Sequence, residues 1–364
     1  MKISMMNVGF DMGFLNDRLK LEVDFFKRKR SGIPATPTDI IYPYEAGYSV
    51  QKQNLNSDQV SGIDGMVRWN DRVNDFNYFV GVNLTLARQK TINNYGEVFL
   101  NGWDQYRWAQ TNRWSNVKNG AVWMWETIGV FQTQEEIDNY PVNIDGANNV
   151  NLRPGDLIFK DVNGDGLIDD YDKRPLGYAA TDYDWDSGNA NKNPLLSMGI
   201  NLGFEYKGID FAADFAGGFM NTFIGDWHVK YGIGTDQMGY VYNVIDSWQH
   251  EDIFDTKSPW KRGKFPAVRS NNPSIRDWND FYAKEINYLR LRNLVVGYTL
   301  PIKWTKKALI QKLRVYFEGS NLLCWDSLND FGFDPEISSV TGFDYPQHKV
   351  YTVGVNVTLS LIHI

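Results

Sequence analysis

Apolar and polar residues alternate singly over much of this chain. From Leu196 to Tyr206 the apolar positions are Leu196, Met198, Ile200, Leu202, Phe204 and Tyr206, separated by Ser197, Gly199, Asn201, Gly203 and Glu205. A period of two predicts a strand with two unlike faces. Lys207-Gly208 reads as a two-residue hairpin turn, and Ile209, Phe211, Ala213, Phe215 and Phe219 lead back out. The other face of the return strand is small or acidic: Asp210, Ala212, Asp214, Ala216 and Gly218. The same pattern predicts strands over Val8–Phe14, Leu19–Phe25, Ile63–Trp69, Tyr78–Leu86, Tyr288–Leu300, Leu313–Leu323 and Tyr351–Leu359. The parity of the strand from Tyr288 slips near Asn293, which predicts a bulge. Pro301 ends that strand, and Lys303–Gln311 reads as a short helical turn.

The connections are unequal. Some are tight turns, as at Asn16-Asp17 and across Asn70–Asn74; others are long, at roughly 31–60, 88–194, 220–281 and 324–347. Short turns on one rim and long loops on the other mark an outer-membrane barrel. The predicted fold is all-β: a partial antiparallel transmembrane β-barrel of about nine strands with long extracellular loops. A soluble sandwich also alternates, but its turns recur every ~8–12 residues. Nine strands leave their ends on opposite rims, whereas a closed single-chain bacterial barrel has an even number. The expectation is therefore the C-terminal part of a larger barrel. Asn7 and Asp11 interrupt any signal-peptide core near Met1, which leads to the same expectation.

Composition narrows the partners. The 364 residues carry a formal charge of −7, which argues against nucleic acid. Aromatics are 15% of the chain, in keeping with aromatic girdles and a ligand-binding exterior. No run approaches the ~20 apolar residues of a membrane helix, so membrane crossing falls to strands. Cys324 is the lone cysteine, and the four histidines make no zinc pattern.

Two constellations carry candidate chemistry. Asp161-Val162-Asn163-Gly164-Asp165-Gly166-Leu167-Ile168-Asp169-Asp170-Tyr171-Asp172 matches the first half of a calcium loop. Asp161, Asn163 and Asp165 place oxygens at alternate positions, Gly166 makes the sharp turn, Leu167 offers a carbonyl, and Asp169 acts directly or through water. Asp172 stands where a bidentate Glu is usual, and no flanking helices are apparent. The alternative is an Asp/Asn/Gly turn held by its own side-chain-to-backbone bonds. The expected cofactor requirement is none, apart from a structural calcium at this loop. The second constellation is Trp103, Tyr106, Trp108, Trp114, Trp123 and Trp125, flat faces among amides that suit sugar rings or peptide backbones. Trp103, Tyr106 and Trp108 are the candidate ligand contacts, set against loop packing and girdle anchoring. No nucleophile elbow, HExxH or P-loop is present, so no enzyme is expected.

The block Gly155-Asp156-Leu157-Ile158-Phe159-Lys160-Asp161-Val162-Asn163-Gly164-Asp165-Gly166 resembles one found in SusC/RagA-type TonB-linked outer-membrane proteins. The hairpin from Leu195 to Gly217 resembles the segment that follows it there. So do Tyr288–Leu294 with Gly297–Pro301, and Leu313–Tyr316 with Gly319–Leu323. The resemblance runs from Asn7 to Leu359. It implies a plugged barrel that imports glycan or peptide fragments across the outer membrane of a Bacteroidetes-type cell. A SusD-type surface lipoprotein would cap the loops, and the TonB complex would act through an N-terminal segment and plug. Residues 1–359 would be the C-terminal barrel part without those pieces. Leu359 stands where family members tend to end on an aromatic residue, so Ser360–Ile364 is expected to be a non-native tail. The rival is a soluble, calcium-stabilised carbohydrate-binding or adhesin module; a passive porin is a third reading.

Overall fold

The computed structural model describes residues 1–37, 43, 45, 47, 48, 50–93, 121–178, 194–224, 246–267, 279–329, 334–336 and 347–359. The strands, in chain order, are β1 Lys2–Phe14, β2 Leu19–Ala35, β3 Gln53–Val73, β4 Phe76–Asn93, β5 Ala121–Met124, β6 Thr127–Val130, β7 Leu157–Phe159, β8 Arg174–Tyr178, β9 Leu196–Tyr206, β10 Ile209–Ile224, β11 Gln249–His250, β12 Trp260–Lys261, β13 Ala283–Thr299, β14 Ile310–Asp326 and β15 Val350–Leu359. Among the described residues two short α-helices, α1 Gln134–Asp138 and α2 Ile302–Thr305, accompany them.

Nine of these strands form one antiparallel meander, β1-β2-β3-β4-β9-β10-β13-β14-β15, with β1 and β15 at its edges. They are the nine strands expected from the alternation. Register aligns the greasy positions into rows across the sheet. Met12 pairs with Leu21, Leu21 with Val67, Val67 with Val82, Val82 with Ile200, Ile200 with Phe215, and Phe215 with Leu291. A neighbouring row on the opposite face runs Gly13, Lys20, Arg68, Gly81, Asn201, Asp214, Asn293 and Ser320. There Asn201 donates to Asp214 at 2.7 Å.

The greasy face is not covered. Phe10 is 54% exposed, Leu84 39%, Val353 75% and Val355 55%. A fully buried side chain of this kind gains ~1.5–3 kcal/mol over an exposed one. Rows left open to this extent are built for lipid rather than water. The fold is a transmembrane-type β wall, as expected.

The wall strands outrun the alternation that announced them. β2 continues to Ala35 and β3 begins at Gln53, so the first long connection is shorter than 31–60. Beyond the lipid band a strand needs no apolar face, and Lys27-Arg28-Lys29-Arg30 pairs as well as any greasy run. Arg30 grips Asp58 across the sheet. β3 likewise runs through Val73, leaving a turn of only Asn74 and Asp75, where Asn74 adopts a left-handed φ of 54°. The bulge near Asn293 is present, between Leu291 and Asn293. The helical turn after Pro301 is α2 plus a 3₁₀ turn over Lys306–Ala308, and β14 starts at Ile310.

Candidate functional site

On the long-loop rim the chain builds a second body. β6 pairs with β7 and β5 with β8. Phe131, Ile144, Leu152, Leu157 and Phe159 are fully buried, and Trp125, Ile137, Ile158, Ile168, Phe265 and Tyr282 complete the cluster. This body is tied to the wall through the lead-in to β13. Asp280 donates its backbone N–H to the Trp125 carbonyl at 3.2 Å, and its carboxylate accepts from the Thr127 N–H at 2.7 Å.

Polar side chains bind the loops of this body to their own backbone. Helix α1 is capped by Thr133, whose hydroxyl accepts from the Glu136 N–H at 3.2 Å. Asp145 accepts three amides, from Ala147 at 2.7 Å, Asn149 at 2.8 Å and Asn151 at 2.9 Å. Burial pushes the Asp145 carboxyl up, but these amides outweigh it and hold it below the usual carboxylate range. Asn149, at a left-handed φ of 64°, donates to the Val142 carbonyl and accepts from the Ile144 N–H.

The predicted calcium loop lies within this body and closes as a clasp. Asp161 accepts from Gly164 at 2.7 Å and from Gly166 at 2.9 Å. Asn163 accepts from the Asp165 N–H, and Asp165 from that of Leu167. Buried Asp172 accepts from Val162 at 2.8 Å and Asp169 at 2.9 Å, and Asp169 accepts from Tyr171 at 2.7 Å. Gly164 and Gly166 take φ of 76° and 80°, which only glycine adopts at little cost. Among the described residues no three acidic, imidazole or thiol groups converge as a metal site. The side-chain oxygens of Asp161, Asn163, Asp165, Asp169 and Asp172 are engaged by main-chain amides.

Trp125 joins the clasp to the core. Its indole N–H donates to the Asp169 carbonyl at 2.7 Å, its ring packs near Phe159, and the Lys173 ammonium sits 4.2 Å from its centre. For Trp125 the structure therefore gives the loop-packing role. Trp103, Tyr106 and Trp108 lie outside the described residues, as does Ser360–Ile364.

The inner face of the wall carries a group that the sequence reading left without a role. Arg290 on β13 is 4% exposed. It donates twice to Asp334, both at 2.7 Å, and to Gln347 at 3.1 Å. Its Nε lies 2.8 Å from Glu336, a charge contact off the line of a hydrogen bond. Glu336 also pairs with Arg292. Two arginines thus hold a piece of the β14–β15 connection against the wall. The signal was present in the alternating arginines of Leu289-Arg290-Leu291-Arg292, but their partners lie about forty residues away. Chemically the arrangement binds and positions; no nucleophile and base meet in it.

No family model matches the chain. Among curated proteins it is 24% identical to TonB-dependent receptor P3 of Formosa agariphila, over 96% of this chain and 33% of that protein. It is 23% identical to TonB-dependent receptor SusC of Bacteroides thetaiotaomicron, over 98% of this chain and 32% of that one. The chain is a relative of the SusC-type TonB-dependent receptors. It spans about a third of the length of these receptors. Among solved structures, the RagAB peptide transporter superposes with a TM-score of 0.62 at 22% identity, over 98% of this chain and 35% of that one. The "closed-closed" and "open-open" states of the RagAB peptide importer each align with the same TM-score, 0.62. The relatives are receptors and the structural neighbours transporters rather than enzymes, and the fold that this chain shares with the neighbours is the β wall.

Proposed function

We propose that this chain supplies wall, lumen lining and outer loops to a TonB-dependent importer of nutrient oligomers, short glycans or peptides. The observation that carries the reading is the division of one sheet into an open greasy face and a polar face, with a folded loop body on a single rim. A soluble calcium-stabilised module would have to cover those rows, and a passive porin would not need an energising partner. The partners in this reading are a SusD-type surface lipoprotein over the loops and the TonB complex, in a Bacteroidetes-type outer membrane. Trp103, Tyr106 and Trp108 would touch the cargo.

The test uses the full-length parent in its native membrane. Uptake of fluorescent oligomers is expected to stop when TonB is deleted, and a surface lipoprotein is expected to co-purify. TonB-independent uptake would overturn energised import, and purification with no lipoprotein would overturn the partner. For the aspartate clasp the proposed role is structural, and a calcium ion there would reinforce the same turn through Asp161, Asn163, Asp165, Leu167, Asp169 and Asp172. Absence of heat on titration with millimolar calcium would leave the amide bonds as the whole account.

A further inference from the structure

A patch on the short-turn rim combines basic and exposed apolar side chains. Residues 300–317 contain five basic side chains, Lys303, Lys306, Lys307, Lys312 and Arg314, and no acidic one, in a chain whose net charge is −7. Two of the five are turned to other work. Arg314 grips Asp210 on the inner face of the wall, and Lys312 lies on that same face. Lys303 and Lys306 are exposed on the turn between β13 and β14. Among the described residues neither enters an ion pair. Beside them stand large apolar side chains open to solvent, Ile302 at 56%, Trp304 at 69% and Leu309 at 57%.

The turn begins where an apolar hollow ends. On the outer face of β10, β13, β14 and β15 a concavity of about 620 Å³ is lined by Ile209, Val296, Tyr298, Val315, Phe317 and Val353. Register explains it. Ile209, Tyr298 and Val315 make one row, and Val296, Phe317 and Val353 the next, so small valines sit between large rings. Leu300 also lines the hollow, and Pro301 and α2 follow at once.

We propose that this hollow and the basic turn form one binding site for an anionic phospholipid of the periplasmic leaflet. The acyl chain would lie in the hollow, Trp304 would sit at the headgroup level, and Lys303 and Lys306 would meet the phosphate. Aromatic rings and lysines favour that depth, and each lysine near an anionic surface contributes about 1 kcal/mol. The proposal rests on the wall facing lipid and on the short turns facing the periplasm; it is independent of cargo. A polypeptide partner at the same turn is the competing occupant.

The experiment is native mass spectrometry of the full-length parent, exchanged into nanodiscs of phosphatidylglycerol or phosphatidylcholine and then stripped stepwise with detergent. The wild type is expected to keep one phosphatidylglycerol preferentially. The double variant Lys303→Gln, Lys306→Gln is expected to lose about 30-fold of that preference, and Lys303→Arg, Lys306→Arg to keep it. Val315→Trp, which fills the hollow, is expected to lower retention of both lipids. Heat-modifiable gel mobility identifies folded samples. Loss of that mobility in the wild type would break the wall reading itself. A folded protein with equal retention of both lipids, or a photo-crosslinker at position 304 that captures protein and no lipid, would overturn the site.

Discussion

The wall and the loop body solve opposite problems with the same residue types. In the loop body Phe131, Leu152, Leu157 and Phe159 are fully buried, and the polar groups turn back onto their own backbone. In the wall the large apolar side chains point away from the chain, and the polar ones face across the sheet toward one another. The body thus has an interior of its own, as a water-soluble domain has. The wall is completed only by its solvent. The rim between them, at Asp280 and Trp125, is where a lipid-soluble object becomes a water-soluble one.

The largest effect that sharpens this contrast is Phe159→Ala. It should cost the loop body about 3–5 kcal/mol by opening a cavity beside Trp125. Limited proteolysis in detergent is expected to cut within 121–178 while the wall keeps its heat-modifiable mobility; simultaneous loss of both would show the two regions to be one cooperative unit. Next is Leu84→Arg on the greasy face. A charge at the bilayer midplane costs about 2–4 kcal/mol, whereas Val150→Arg, on the exposed surface of the loop body, should stay within about 0.5 kcal/mol. Urea midpoints of the two variants in vesicles measure the difference, and equal shifts would break the comparison.

The smallest effect is set by pH. The Asp145 carboxyl is held below its ordinary range, so its contribution is present above the unfolded value of about 3.9. That contribution fades as pH falls through the lower folded value. Protease resistance of the loop body should therefore be level from about pH 7 to 5 and decline below about pH 4. Asp145→Asn should flatten that acid limb.

The two regions also differ in how openly the chain announces them. Every wall strand was readable from alternation, because a strand between lipid and water must alternate. The bulge was readable too, since a slipped parity at Asn293 has few other causes. The loop body was not, apart from its aspartate clasp. Its strands are three to five residues long, too short to show a period. Its core draws on Phe265 and Tyr282 from a separate connection. Trp125 was one of six aromatics weighed between ligand contact and loop packing, and its burial and its bond to the Asp169 carbonyl separate the two. The arginine pair was visible, but Asp334 and Glu336 were not, because nothing local ties carboxylates to a strand so distant in sequence.

Between Leu291 and Asn293, β13 holds one residue more than β10 and one fewer than β14. Its two halves consequently keep separate counts. Changes around Arg290 and Arg292 can retune what the interior grips while Leu294, Val296 and Tyr298 stay locked to the acyl chains. Within one unbroken strand, variation inside is uncoupled from constancy outside.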